Sequence, residues 1–333
     1  MTIEAAAPTR IDLAGGTLDI WPVHLMLEDP VTVNLALATP AVVRATARRD
    51  RRVVLRSVDH GSEERFPSLP AARSGARHRL AVEALAALPP EGGVEIETRS
   101  AVPPGSGLGG SSSLSVALCA ALGRLRGDRR GPTDLALFAS NVEGRVLQVP
   151  PGSQDHLAAA HGGLAAWHYG PGGVRREVLA ADPSGLARRL LLVDTRVAHS
   201  SAGNNWRVVR AFLDGDRKVR RGFAEVAAAA NGVRAAVLEG DLGGLADGME
   251  RDSRARRRLF PGFHTDRTLS LAREARRAGA LGGRPCGAGG GGCMVFLVEE
   301  ARREAVEAAV GRLDARVLPV RPDRRGVRVG RLP

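Results

Sequence analysis

Residues 101–118 read Ala-Val-Pro-Pro-Gly-Ser-Gly-Leu-Gly-Gly-Ser-Ser-Ser-Leu-Ser-Val-Ala-Leu. A β-rich run, Val94–Thr98, leads into this segment, and an apolar helical pattern over 112–125 leads out of it. Glycines let backbone N–H groups approach an anion closely, and a helix N-terminus adds unpaired donors and the positive end of a dipole. Serine hydroxyls in the first turn can cap the helix or ligate the Mg²⁺ of a nucleotide. This is phosphate-binding chemistry; its plain alternative is a glycine-rich turn with an N-cap. The Walker pattern fails, because no lysine follows the glycines and Lys218 is the only lysine in the chain. Gly105-x-Gly107-x-x-Gly110 does match the dinucleotide fingerprint. The region that should supply its acidic residue, around Asp128, has no β-run before it, so an NAD(P) oxidoreductase of the Rossmann kind stays an alternative.

The elements that must position this loop are legible in outline. Strand patterns cover 30–47, 52–58, 94–98, 190–194 and 293–298, with closing strands near 316–320 and 326–329. Helical periodicity covers 78–88, 112–125, 133–147, 153–161, 217–238, 264–279 and 301–313. With 333 residues and 44% hydrophobic content, the chain is long and apolar enough for two ordinary cores. The expected fold class is α+β, divided near residue 185 into an N-terminal domain (1–185) and a C-terminal helix-on-sheet domain (186–333).

Net charge is +12, yet aromatic content is only 3%, which leaves few rings for stacking bases. The clusters Arg48-Arg49-Asp50-Arg51-Arg52 and Arg254-Ala255-Arg256-Arg257-Arg258 are short and separated. They read as solvated surface, the first as a strand turn, so neither a nucleic-acid partner nor a membrane is expected. Cys119, Cys286 and Cys293 form no metal spacing and read as reduced thiols of a cytoplasmic protein. His156 and His161 are five apart and read as no metal site; neither HExxH nor Gly-x-Ser-x-Gly occurs.

Pro-Pro-Gly-Ser-Gly-Leu-Gly-Gly-Ser-Ser-Ser-Leu resembles the second motif of the GHMP small-molecule kinases. Residues 8–20, Pro-Thr-Arg-Ile-Asp-Leu-Ala-Gly-Gly-Thr-Leu-Asp-Ile, resemble the first motif, and Gly287-Ala288-Gly289-Gly290-Gly291-Gly292-Cys293 the third. The three occur in family order across nearly the whole chain. Gly152-Ser153-Gln154-Asp155-His156 followed by His161-Gly162-Gly163 is similar to a segment of the D-glycero-D-manno-heptose 7-phosphate kinases and fucokinase-like sugar kinases. Gly110 stands for a usual Ser and Ser153 for a common Lys. Gly-Gly-Thr-Leu-Asp replaces a Gly-Gly-Gly-Thr-Asp pattern before Asp19.

The resemblance implies a ribosomal-S5-like N-terminal α/β domain, a ferredoxin-like C-terminal domain, and ATP and Mg²⁺ as cofactors. It implies nucleotide contacts from Pro104, Gly105, Ser106, Gly107, Leu108, Gly109, Gly110, Ser111, Ser112 and Ser113. Magnesium would go to Ser111 and Glu143, with Ser112 a substitute because Gly110 makes the register ambiguous. Substrate, a sugar or sugar phosphate, would meet Gly16, Thr17, Asp19, His199, Gly289 and Gly290.

Phosphoryl transfer asks for positioning, charge neutralisation and an acceptor for the hydroxyl proton. Asp155 is the candidate base, in the first turn of a helix that Ser153 can cap; its plain alternative is to complement the helix dipole. With one lysine in the chain, the cation near the transferring phosphate is expected to be arginine. Arg10 leads, with an ion pair to Asp12 as the competing reading. The expected activity is an ATP-dependent kinase of the heptose 7-phosphate type, against a catalytically silent nucleotide and sugar sensor built on the same motifs.

Overall fold

The N-terminal run that carries Arg10 is strand β1 (Thr2–Ala14), and Val31–Arg48 is β2. In the computed structural model, which describes residues 1–197 and 202–333 with side chains for all but 202–205, the two pair antiparallel, Ile3 opposite Ala45 and Arg10 opposite Ala36. A register shift between Ala7 and Thr9 interrupts the ladder. It falls where β1 holds Pro8 and β2 holds Pro40, residues with no N–H to give a ladder. There β2 also changes neighbour, and the rest of the first sheet follows from that change.

Strands β3 (Val53–Ser57), β4 (Ser62–Phe66), β5 (Gly93–Ser100), β6 (Leu164–Gly170) and β7 (Gly173–Val178) complete the first half of the chain. Residues 41–48 of β2 pair antiparallel with β5, whereas 31–35 pair with β6, which pairs in turn with β7. β3 runs parallel to β5 and antiparallel to β4. Helices α1 (Leu69–Gly75), α2 (Arg79–Ala87), α3 (Gly110–Leu125), α4 (Pro132–Leu147) and α5 (Gln154–His161) lie between these strands in sequence. Val82 and Leu85 of α2, Val116 and Leu118 of α3, Leu135 of α4 and Leu157 of α5 bury against Val43, Leu55 and Ile96 of the sheet. The dinucleotide alternative fails on this topology: α3 runs on into a second helix, α4, rather than into a parallel strand beside β5.

The second half contains α6 (Pro183–Arg189), β8 (Leu190–Asp194), α7 (Ala202–Leu213), α8 (Arg217–Glu239), α9 (Leu242–Leu259), α10 (Asp266–Arg277), β9 (Ala280–Pro285), β10 (Cys293–Val298), α11 (Arg303–Gly311) and β11 (Arg316–Leu318). Its four strands form one antiparallel sheet in the order β11-β8-β10-β9. Leu191, Val193, Met294 and Phe296 pack with Leu271 of α10 and Val306 of α11. The alternate residues Leu190, Leu192, Val295 and Leu297 join a core shared with α8, α9 and with Ile11, Leu13 and Leu35 of the first sheet. Both faces are covered, which explains the unbroken apolar runs in β8 and β10. No described helix is long and apolar enough to cross a membrane.

Two expectations need correction. The closing strand read near 326–329 does not belong to the second sheet. It is β12 (Arg328–Leu332), which returns to pair antiparallel with β1, Val329 opposite Ala5. Nor is the cluster at 254–258 wholly surface. In α9 the residues Asp252, Ala255, Arg256 and Leu259 share one buried stripe at helical spacing, while Arg254, Arg257 and Arg258 are exposed. Residues 49–52 of the turn are exposed, with the half-buried Arg48 forked onto Asp50. The three cysteines are buried and unbridged, and burial pushes the Cys119 and Cys293 thiols up to about 12.

His161 closes α5, within hydrogen-bonding distance of Thr133 Oγ1 at 2.9 Å, and burial beside Arg176 lowers its pKa to about 4. An unfolded histidine titrates near 6.5. Stability that is complete above that pH should therefore be lost as pH falls toward 4, because the unfolded chain takes up the proton first. Thermal melts from pH 7.5 to 4.5 should show this, and His161→Gln should remove on the order of 1 kcal/mol of the stability lost over that range. An unchanged slope would exclude His161 as a contributor.

Candidate active site

The segment from Ala101 to Gly109 links β5 to α3, and Pro103, Pro104 and Gly105 stand exposed at its tip. Gly105, Gly107 and Gly109 take φ of 71°, 75° and 73°, which side-chain-bearing residues rarely adopt. A Cβ at Gly107 would come within 2.6 Å of the Cys286 carbonyl oxygen, and Cys293 N donates to Ser106 O at 2.8 Å. The second and third glycine segments therefore lie backbone on backbone, although 180 residues separate them. α3 starts at Gly110 with no side-chain cap, so its first amides keep their donors for a ligand.

Arg10 is buried on β1 and reaches three acceptors. Its Nε and Nη2 donate to the two oxygens of Asp155, both at 2.7 Å, and its Nη1 donates to Gly107 O at 2.6 Å. Its backbone N–H also donates to Leu108 O at 3.0 Å. The competing pairing with Asp12 is a 3.9 Å contact, so the fork belongs to Asp155. Burial opposes the charge on Arg10, but Asp155 and Asp12 outweigh it and hold the pKa above the ordinary arginine range. The Asp155 side chain is 23% exposed, and the Gly109 backbone packs so closely that a Cβ there would lie 3.2 Å from Oδ2.

Ser153 does not cap α5. Its backbone is helical and its side chain makes no cap bond. Asp19 does this from the first motif: Oδ2 accepts from Gln154 N at 2.9 Å and Oδ1 from Thr17 N at 3.1 Å. Gly152 leaves room for that carboxylate, since a Cβ there would collide with it. Burial, with Asp155 nearby, raises the pKa of Asp19 despite these bonds. Thr17, buried beside it, holds φ at 83°, a strained conformation for a β-branched residue.

Glu143 lies on α4 facing the start of α3. Its Oε2 accepts from Ser112 Oγ at 2.8 Å and lies 2.8 Å from His156 Nε2. Burial would raise its pKa, but the nearby His156 ring and the Ser111 and Ser112 hydroxyls prevail and hold it below the usual carboxylate range. Ser111 is exposed at the rim and Ser112 is buried. Ser113 is turned away and donates to Pro8 O at 2.7 Å. A carboxylate with adjoining hydroxyls is a hard-oxygen set suited to Mg²⁺, which keeps phosphate and water in the rest of its shell. Among the described residues no cluster of three His, Cys, Asp or Glu could hold a metal alone.

Gly289 and Gly290 lie against Phe263, whose carbonyl accepts from Gly290 N at 2.9 Å. His199 lies outside the described residues. Arg10, Gly107–Gly109, Asp155 and Asp19 thus converge at the N-terminus of α5, and Ser111, Ser112 and Glu143 gather one helix away.

The GHMP kinases N terminal domain model matches residues 76–163, and the GHMP kinases C terminal model matches residues 233–314. The chain belongs to the GHMP kinase family. Its relatives in the family include the galactokinase of Mycobacterium tuberculosis, 29% identical over 94% of this chain and 93% of that protein. The D-glycero-alpha-D-manno-heptose 7-phosphate kinase of Campylobacter jejuni is 24% identical over 91% of each. The fold matches Lactococcus lactis galactokinase, solved in complex with galactose, at a TM-score of 0.83 over 98% of this chain and 95% of that one, with 18% identity. As a GHMP kinase the chain is a phosphotransferase that acts on hydroxyl groups.

Sequence reasoning missed two features of this candidate site. His156 escaped because a histidine beside a candidate base carries no spacing signal toward Glu143. Asp252 and Arg256 escaped because the arginine cluster hid the i, i+4 pair of α9. Its buried stripe was readable in principle from Asp252, Ala255, Arg256 and Leu259.

Proposed function

We propose that the protein transfers the γ-phosphoryl group of ATP to a hydroxyl of a sugar phosphate, with D-glycero-D-manno-heptose 7-phosphate the first candidate. The Arg10 fork on Asp155, set against Gly107 and Gly109, carries the proposal. It fixes a carboxylate at the mouth of a glycine loop whose amides suit phosphate. Asp155 would accept the substrate hydroxyl proton; a loose transition state needs that transfer only late. The backbone of 105–112 and the start of α3 would hold the triphosphate. The loop Gly16–Asp19 would face the sugar, with Asp19 keeping one lone pair on each oxygen for hydroxyl donors.

The oxygens of Glu143 with Ser111 or Ser112 fit Mg²⁺, which when bound neutralises phosphate charge. Glu143→Gln should then raise the Mg²⁺ concentration for half-maximal activity by about tenfold, 1.4 kcal/mol of binding. Magnesium titrations at saturating ATP would check it, and an unchanged midpoint would remove Glu143 from the metal site.

ADP release measured over heptose 7-phosphate, fucose, galactose and mevalonate tests the reading as a whole. The highest kcat/KM is expected with heptose 7-phosphate. Galactose ahead of it would overturn the substrate, and no release with any sugar would overturn the sugar reading.

A further inference from the structure

Four charged side chains meet behind the site, where α9 and β9 approach β1. Arg284 of β9 lies 2.9 Å from Asp12 Oδ2 and 3.2 Å from Asp252 Oδ2, and none of the three is exposed. Asp12 sits two residues beyond Arg10 on the same face of β1. Arg256 follows Asp252 by one turn of α9, is only 2% exposed, and has no carboxylate within ion-pair distance among the described residues. Its Nε and Nη1 have no hydrogen-bond partner there. Retaining such a buried charge is costly, and an apolar side chain of similar volume would bury more cheaply. What the charges hold gives the reason for their presence.

Asp252 Oδ1 accepts from Gly15 N at 2.9 Å, at the head of the loop that runs to Asp19. Arg256 Nη2 donates to Gly287 O at 3.0 Å, and Gly287 N donates to Asp12 Oδ1 at 2.8 Å, at the head of the third glycine segment. The paired glycines of the first motif have separate causes. Gly15 needs φ of 87°, and a Cβ there would strike the Val31 carbonyl. At Gly16 a Cβ would displace Arg256 Nη1, which lies 2.3 Å from where it would stand. The guanidinium is backed by the Phe263 ring, 4.8 Å away. One helix face therefore touches both loops, and each loop also touches the strand that carries Arg10.

We infer that Asp252 and Arg256 are positioning residues. Together they set the loop Gly15–Asp19 and the segment beginning at Gly287 in one fixed relation to the Arg10–Asp155 fork. The inference rests on the kinase reading above for its kinetic consequence, but not for its structural one.

Two measurements on the full chain separate those consequences. Amide hydrogen exchange in the ligand-free protein should show faster exchange over residues 13–19 in Asp252→Ala and over 286–292 in Arg256→Met. Steady-state kinetics should show the sugar KM raised about tenfold or more in both, with the nucleotide KM moved less than about threefold, because misplacement acts through the sugar-facing loop. Asp252→Asn keeps an oxygen for the Gly15 amide and should recover most of the loss in sugar KM and in protection. Unchanged exchange and unchanged KM in variants of lowered Tm would make the pair plain scaffolding and overturn the inference. Should the wild-type protein phosphorylate no sugar at all, the sugar-kinase reading fails. The exchange result then decides by itself: deprotection of both segments upholds the positioning role, and unchanged protection overturns it.

Discussion

Asp155→Asn should lower kcat by about 10³-fold, within the range for loss of a positioned acid–base group, while ATP still binds within about threefold of wild type. The substitution is isosteric and leaves Oδ1 as an acceptor for Arg10 Nε, at 2.7 Å in the native site. It replaces Oδ2 by an amide that turns its hydrogens toward Arg10 Nη2, so one arm of the fork is lost. The nucleotide surface is untouched, because the φ angles of Gly105, Gly107 and Gly109 and the uncapped start of α3 do not depend on that oxygen. Single-turnover phosphorylation paired with a nucleotide-binding titration would read the two effects separately. A variant within about tenfold of wild-type turnover would place proton removal elsewhere, since a lost acid–base group costs more than that. A parallel collapse of ATP binding would mean that the fork shapes the glycine loop rather than the chemistry.

Much of this candidate site was legible because close approach of backbone needs glycine. The loop 101–118 announced itself by composition, and the positive φ at Gly105, Gly107 and Gly109 supplies the reason. Helices such as α3 and α5 followed from periodicity, with ends shifted by a residue or two. Three things did not follow, each for a physical reason. The cap of α5 comes from Asp19, 135 residues away, so local rules assigned it to the adjacent Ser153. The return of β12 to β1 leaves no mark in a short exposed strand, because only pairing across the whole chain defines it. Arg256 shares a segment with exposed arginines, and charge pattern outweighed the helical stripe that buries it. Local chemistry was readable, then, where one segment supplies it. Contacts that join distant segments were readable only where a motif ordered both.

Arg10 is the residue whose loss should be felt in both stability and rate. Its guanidinium holds Asp155 with two bonds and the glycine loop with a third, and its own amide holds Leu108. Arg10→Ala would leave Asp155 and the Gly107 carbonyl without their donor. Breaking a buried pair costs about 3–5 kcal/mol, and partial exposure of the carboxylate places this case near the lower end. Arg10→Lys is the more informative change. It keeps the charge that Asp155 and Asp12 stabilise, but a lysine is a point donor that cannot span both carboxylate oxygens and the Gly107 carbonyl in one planar fork. Stability should therefore recover by about half while kcat stays about 10²-fold down, because a carboxylate held by one bond rotates out of line with the substrate hydroxyl. Urea unfolding and steady-state rates on both variants would test this. If lysine restored the rate in full, charge alone would suffice and the fork would be dispensable. If it restored neither, the third bond to the glycine loop would carry the effect, and Asp155 would depend on Gly107 as much as on its own partner.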